Sequence, residues 1–287
     1  MVQLTSVSQL KQGFHYAMHG GGAYKGLRQT NTLEAIEYWY RKGVRIFELD
    51  MAQTSDGDYV ALAHSLNRKD LRRVEVFDLP NKCTKEWFMK QRLFSISIHG
   101  GLTPLSLESI VNLLKDKQDI IVMFDLFGLF KKNEAAHFTE RLYELIGDFP
   151  FWQRILIEAY NTDMVEGIHT ASLESNVILS VRSELNADKP YASSLLQLMA
   201  ENIHFISYPW HFYKYYPKEI SQYTEAGIVV FSRTKSNIGS CRLRNKGITV
   251  NLVANRFNTY LMPLQWLVYM STYLKRIVVK TFIYFHY

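Results

Sequence analysis

In RIFELDMAQTSDGDYVALAH, running from Arg45 to His64, two acids one residue apart interrupt an apolar segment that closes on a histidine. Burying Glu48 and Asp50 on a strand without partners would cost several kcal/mol each, so a cation is expected beside them. Two other apolar runs have the same form: YAMHG carries His19, and IIVMFDL carries Asp125. Side chains alternate along a strand, so Val44, Ile46, Glu48 and Asp50 are expected on one face, as are Ala17 with His19 and Ile121 with Met123 and Asp125. Three carboxylates converging with His19 and His64 suit a hard divalent cation, Mg²⁺ or Ca²⁺, with the two imidazoles left to pass protons. The alternative is a set of ordinary ion-paired acids with a hydrogen-bonded histidine.

The elements that must position these residues read as an alternation. YAMHG, RIFELDM, IIVMFDL, RILIEAY, VILSV, HFISYP, IVVFSR and TVNLVA are short β-rich runs. LEAIEYWYRKG, LESIVNLLKDK, EAAHFTERLYELIG, SSLLQLMAEN and ISQYTEAG repeat apolar residues every three or four positions, as helices do. Eight strands alternating with helices predict an α/β fold, a closed (β/α)8 TIM barrel, whose chemistry belongs at the C-terminal ends of its strands. After the second strand, SDG predicts a β-hairpin extension. A three-residue loop, Ser55 to Gly57, would set Thr54 opposite Asp58 and His64 opposite Glu48; a two-residue loop would turn His64 to the wrong face.

Composition bounds the rest. A chain of 287 residues can form one barrel of ordinary size, here assigned to residues 1–259, with 260–287 as a C-terminal apolar and basic helix or tail. Two cysteines form no disulfide framework, and no signal peptide is visible, which points to a reduced, cytoplasmic setting. The net charge of +6 is partly in the tail, where Lys275, Arg276 and Lys280 meet no acid. No basic stripe interleaved with aromatics marks a nucleic-acid groove. The tail reads as a final barrel helix or as an amphipathic segment lying on an anionic membrane surface at the inner face.

HGGGAYKGLRQTNTLEAIEYWYRKGVRIFELDMAQTSDGDYVALAH resembles the opening of the glycerophosphodiester phosphodiesterases, within the phosphatidylinositol-phospholipase-C-like superfamily, in the manner of a divergent bacterial-type member. GLTPLSLESIVNLLKDK and AGIVVFSRTKSN resemble later segments of that family, so the likeness spans residues 14 to 257. It implies His19 and His64 as the catalytic acid/base pair and Glu48, Asp50 and Asp125 as ligands of a divalent cation. It also implies hydrolysis of a glycerophosphodiester or a glycerol-phosphate-containing lipid or polymer, often through a cyclic phosphate formed by the glycerol hydroxyl.

Three positions depart from the family pattern. Gly20 stands where the family has an arginine, Phe127 where it has a lysine, and Asp125 is the shorter acid found in sphingomyelinase D relatives. Losing two cations removes charge-assisted contacts worth roughly 1.5 to 3 kcal/mol each. A barrel that binds a phosphodiester without turning it over, or a sphingomyelinase D-like phospholipase, is therefore the alternative. Lys25, Arg28 and Arg182 are candidate replacements for the missing cations, with a solvated arginine as the plain reading of Arg182. Trp210, in YPWHFYKYY, is a candidate wall for the alcohol, with packing as its plain reading.

Overall fold

The computed structural model describes residues 6–12, 15–24, 29–62, 82–90, 101–126, 128–147, 150–180, 202–209, 217–234 and 250–253. Each of the eight β-rich runs forms a strand, and two short strands follow the second. In chain order they are β1 (His15–Met18), β2 (Ile46–Gln53), β3 (Tyr59–Ala61), β4 (Leu105–Ser106), β5 (Ile121–Asp125), β6 (Ile155–Ala159), β7 (Val177–Ser180), β8 (Phe205–Pro209), β9 (Val229–Thr234) and β10 (Val250–Val253). All but β3 and β4 pair in parallel in the order β1-β2-β5-β6-β7-β8-β9-β10, and His15 opposite Val250 returns β10 to β1. The ring is closed, so the barrel has no free edge.

Period-two alternation sorts the strand residues into two cores. Ala17, Ile46, Met123, Leu156, Phe205 and Phe231 are among those filling the barrel, where Val7 and Leu10 of the 3-10 turn Val7–Lys11 join them. Met18, Phe47, Leu49, Val122, Phe124 and Val230 face outward, toward the helices. Burying such a side chain is worth roughly 1.5 to 3 kcal/mol, which is why a one-residue slip of any strand is forbidden. Val44 corrects the sequence reading. It precedes β2 and packs against the outer cluster, so the inward row begins at Ile46.

Among the described residues the α-helices are α1 (Leu33–Arg41), α2 (Lys85–Lys90), α3 (Leu107–Asp116), α4 (Lys132–Ile146), α5 (Thr162–Ala171) and α6 (Pro217–Glu225). All but the last residue of SSLLQLMAEN lies outside the described residues. Helix α5 had no clear sequence signal, because Gly167 and its threonines blur the period in TDMVEGIHTA. The glycine has a packing reason: a Cβ there would meet the Lys132 carbonyl oxygen at 2.2 Å, so its absence lets α5 press against the start of α4.

Beyond the barrel rim β2 pairs antiparallel with β3, Gln53 opposite Tyr59 and Met51 opposite Ala61. Gly57 at φ 82° donates to the Thr54 carbonyl at 3.0 Å, and Thr54 donates to the Asp58 carbonyl at 2.8 Å. That is the register of the three-residue loop. The segments NTLEA and TPLSLE meet: Glu34 accepts hydrogen bonds from Thr103 N at 2.9 Å and Thr103 Oγ1 at 2.7 Å, and Leu33 N donates to the Thr103 carbonyl at 3.2 Å. These contacts clip the start of α1 to the approach of β4.

Candidate metal centre

Four carboxylates stand at the C-terminal ends of neighbouring strands. Asp50 on β2 is the register partner of Asp125 on β5, and Asp125 is the partner of Glu158 on β6. Glu48 lies two residues below Asp50 on the same inward face. Their exposures are 0% for Glu48, 2% for Asp50, 1% for Asp125 and 0% for Glu158. One ligand atom each of Glu48, Asp125 and Glu158 can be chosen so that all lie within 4.8 Å of one another, and the same holds for His19, Glu48 and Asp50. Glu48 belongs to both groups.

At that spacing two ionised carboxylates repel by about 3 to 4 kcal/mol at an effective dielectric near ~20. Several such pairs in one buried place call for positive charge among them. The donors are hard carboxylate oxygens, a set that fits Mg²⁺ or Ca²⁺ and suits neither a zinc thiolate site nor a copper one, and an imidazole stands at their edge.

Hydrogen bonds hold three of these carboxylates from behind. Gly20 N donates to Glu48 Oε2. Asn31 grips Asp50 twice, its Nδ2 donating to Oδ2 at 2.7 Å and its Oδ1 accepting from Asp50 N at 3.2 Å. The same Nδ2 donates to the Leu62 carbonyl at 2.8 Å, joining the end of the hairpin to the rim. The Tyr160 hydroxyl donates to Asp125 Oδ1. Such partners fix the orientation of the carboxylates, as outer hydrogen bonds do where carboxylates ligate a metal.

His19 follows β1 in the 3-10 turn His19–Gly21. Its Nε2 is 3.9 Å from Glu48 Oε2, its side chain is 19% exposed, and its Nδ1 receives a hydrogen bond from Gln29 Nε2 at 2.9 Å. Gly20, Gly21 and Gly22 have φ of 58°, 68° and 95°. This run of left-handed residues turns the chain back over the rim and aims the Gly20 amide at Glu48.

The structure thus brings His19, Glu48, Asp50 and Asp125 together. His64, Lys25, Arg28, Arg182 and Trp210 lie outside the described residues, as do Phe127 and the tail 260–287. Sequence reading missed Glu158, although RILIEAY carried its signal: Leu156 points into the barrel, so Glu158 must as well. It missed Tyr160, Asn31 and Gln29 because nothing local in the sequence pairs them with the acids. Gly20 gains a physical reason. A Cβ on it would lie 2.5 Å from Gln29 Cβ and 2.7 Å from Gln29 Cα, so no arginine enters at this position without moving the backbone.

A closed parallel barrel with an acidic rim defines a class of enzyme-bearing folds, and solved structures narrow it. The chain superposes on a glycerophosphodiester phosphodiesterase from Parabacteroides distasonis with a TM-score of 0.65 at 14% identity, covering 91% of this chain and 98% of that one. A glycerophosphodiester phosphodiesterase from Thermotoga maritima gives 0.60 at 16% identity, over 85% and 96% of the two chains. A phosphodiesterase from Oleispira antarctica in complex with the product sn-glycerol-3-phosphate gives 0.63 at 15% identity, over 84% and 92%. No family profile and no curated protein sequence matches the chain. The fold is therefore that of the glycerophosphodiester phosphodiesterase barrels, at 14 to 16% identity to these three structures.

Proposed function

We propose that this chain is a divergent glycerophosphodiester phosphodiesterase, a metal-dependent hydrolase cutting a glycerophosphodiester or a glycerol-phosphate-containing lipid or polymer. The observation that carries the reading is the buried acid set at the strand ends, with Glu48 common to both possible ligand groups. The fold likeness supports it, as does the product bound to the Oleispira antarctica phosphodiesterase. In this reading Glu48, Asp50 and Asp125 hold a Mg²⁺ or Ca²⁺ ion, with Glu158 beside them. When bound, the ion neutralises the phosphoryl oxygens as charge gathers on them.

His19 and His64 are the acid/base pair. One removes the proton from the attacking hydroxyl as its oxygen bonds to phosphorus, and the other delivers a proton to the oxygen that leaves. That step releases the alcohol and leaves a cyclic phosphate, and water then adds to phosphorus, breaking one ring ester bond to give the phosphomonoester. Lys25, Arg28 and Arg182 are the cations proposed to meet the phosphate, and Trp210 the surface proposed for the alcohol. Metal-dependent release of glycerol 3-phosphate from a panel of glycerophosphodiesters tests the reading. No release with either Mg²⁺ or Ca²⁺ sinks it, and preference for choline lipids would move it toward a phospholipase D-like activity.

A second reading is favoured by the closed space at Gly20, which leaves no room for an arginine at that position. In it the barrel binds a phosphodiester without turnover, and ligand-dependent thermal stabilisation without product is its mark. Among the described residues no helix is long and apolar enough to cross a membrane. We propose a cytoplasmic location, with residues 260–287 either a final barrel helix or a segment lying on an anionic membrane surface; flotation with anionic liposomes at low and high salt separates the two.

A further inference from the structure

We propose that Gln29 is a positioning residue for His19, fixing its ring and its tautomer so that the proton of the neutral imidazole sits on Nε2, facing the carboxylate rim. The inference rests on the hydrolase reading for its catalytic meaning, though not for its structural content. Gln29 Nε2 lies 2.9 Å from His19 Nδ1, and an amide nitrogen only donates. Nδ1 must therefore accept, which leaves the hydrogen of the neutral ring on Nε2, the atom 3.9 Å from Glu48 Oε2. His19 then arrives at the rim as a proton donor, suited to the leaving oxygen, and the proton-accepting role falls to another group.

The placement is built with care for the backbone. Gln29 sits at φ 45°, a left-handed conformation that is uncommon for a residue with a long side chain. Two backbone hydrogen bonds hold it there, Asn31 N to the Gly20 carbonyl at 2.9 Å and Thr30 N to the Gly22 carbonyl at 3.4 Å. The fit needs glycine on the other side, since a Cβ on Gly20 would overlap Gln29 Cβ and Cα at 2.5 and 2.7 Å. Strain of this kind persists where the surroundings over-determine it, and it concentrates at functional sites. The glycine at position 20 and the glutamine at position 29 are thus two halves of one device: the space an arginine would need is closed by the residue that holds the histidine.

The test uses the full chain loaded with Mg²⁺ and two variants. Gln29→Gly removes the amide and suits the positive φ, so its Tm should equal or exceed that of the unchanged chain while kcat falls roughly 10- to 100-fold with KM nearly constant. Gln29→Glu keeps the shape but only accepts, so it should move the imidazole proton to Nδ1. Long-range ¹H–¹⁵N spectra, with His19 identified by its loss in His19→Asn, report which ring nitrogen carries hydrogen. Hydrogen on Nε2 in the unchanged chain and on Nδ1 in Gln29→Glu supports the proposal. Hydrogen on Nδ1 in the unchanged chain, or the same tautomer in both, overturns it, as does a Gln29→Gly variant with full kcat. If the unchanged chain turns over no diester at all, the hydrolase reading fails, and the spectra alone still decide the role of Gln29.

Discussion

Buried charge is handled in opposite ways at the two ends of this barrel. Toward the end where the strands begin, Arg154 is 5% exposed, and its guanidinium donates to the carbonyls of Lys117 at 2.8 Å and Leu114 at 2.9 Å while lying 4.6 Å over the Phe151 ring. Burial pushes its pKa below the usual guanidinium value. The carbonyls belong to the end of α3, where the helix dipole favours a cation, so this charge is answered by fixed partners and stays for structural reasons. At the other end Glu48, Asp50, Asp125 and Glu158 place buried carboxyl groups on adjoining strands. The first arrangement sets a cation against carbonyls; the second gathers acids that could hold a dication. Buried charge stabilises where its surroundings match it and marks a binding site where they repeat it.

The comparison can be broken at several points. Glu48→Gln should have the largest effect, because it removes the carboxylate common to both ligand groups. Turnover is expected to fall about 10³-fold or more, and the Mg²⁺-induced rise in Tm to vanish. A variant that keeps both would dissolve the proposed centre. Arg154→Met should come next, costing about 3 kcal/mol in denaturant unfolding with or without metal, since it leaves helix-end carbonyls buried without a donor. Tyr160→Phe loses the hydrogen bond to Asp125 and should weaken metal affinity by roughly 10- to 100-fold, seen by calorimetric titration, with little change in metal-free Tm. Smallest is Glu158→Gln in the metal-free chain, where relief of like-charge repulsion should raise stability by about 1 kcal/mol. Destabilisation by that substitution would mean the rim is matched internally, as Arg154 is, and the contrast between the two ends would fail.

Much of this was legible before any fold was known, because strand alternation is a local property with period two. The spacing of Glu48 and Asp50, and of Asp125 behind Met123, put those acids on the inward face without reference to any other strand. Helical period located α1, α3, α4 and α6 for the same reason, and failed at α5, where Gly167 serves a contact with Lys132 that no local pattern encodes.

Partners across the chain were another matter. That Asp125 stands beside Glu158, that Tyr160 reaches Asp125, and that Gln29 closes over Gly20 to hold His19 all depend on inter-strand register and on a loop folding back. Single-sequence spacing carries no record of either. The amino-acid sequence alone determined which residues face the barrel's interior and which of them carry charge. Only the tertiary structure decided which of those charges meet, because register and closure come from packing the whole ring at once.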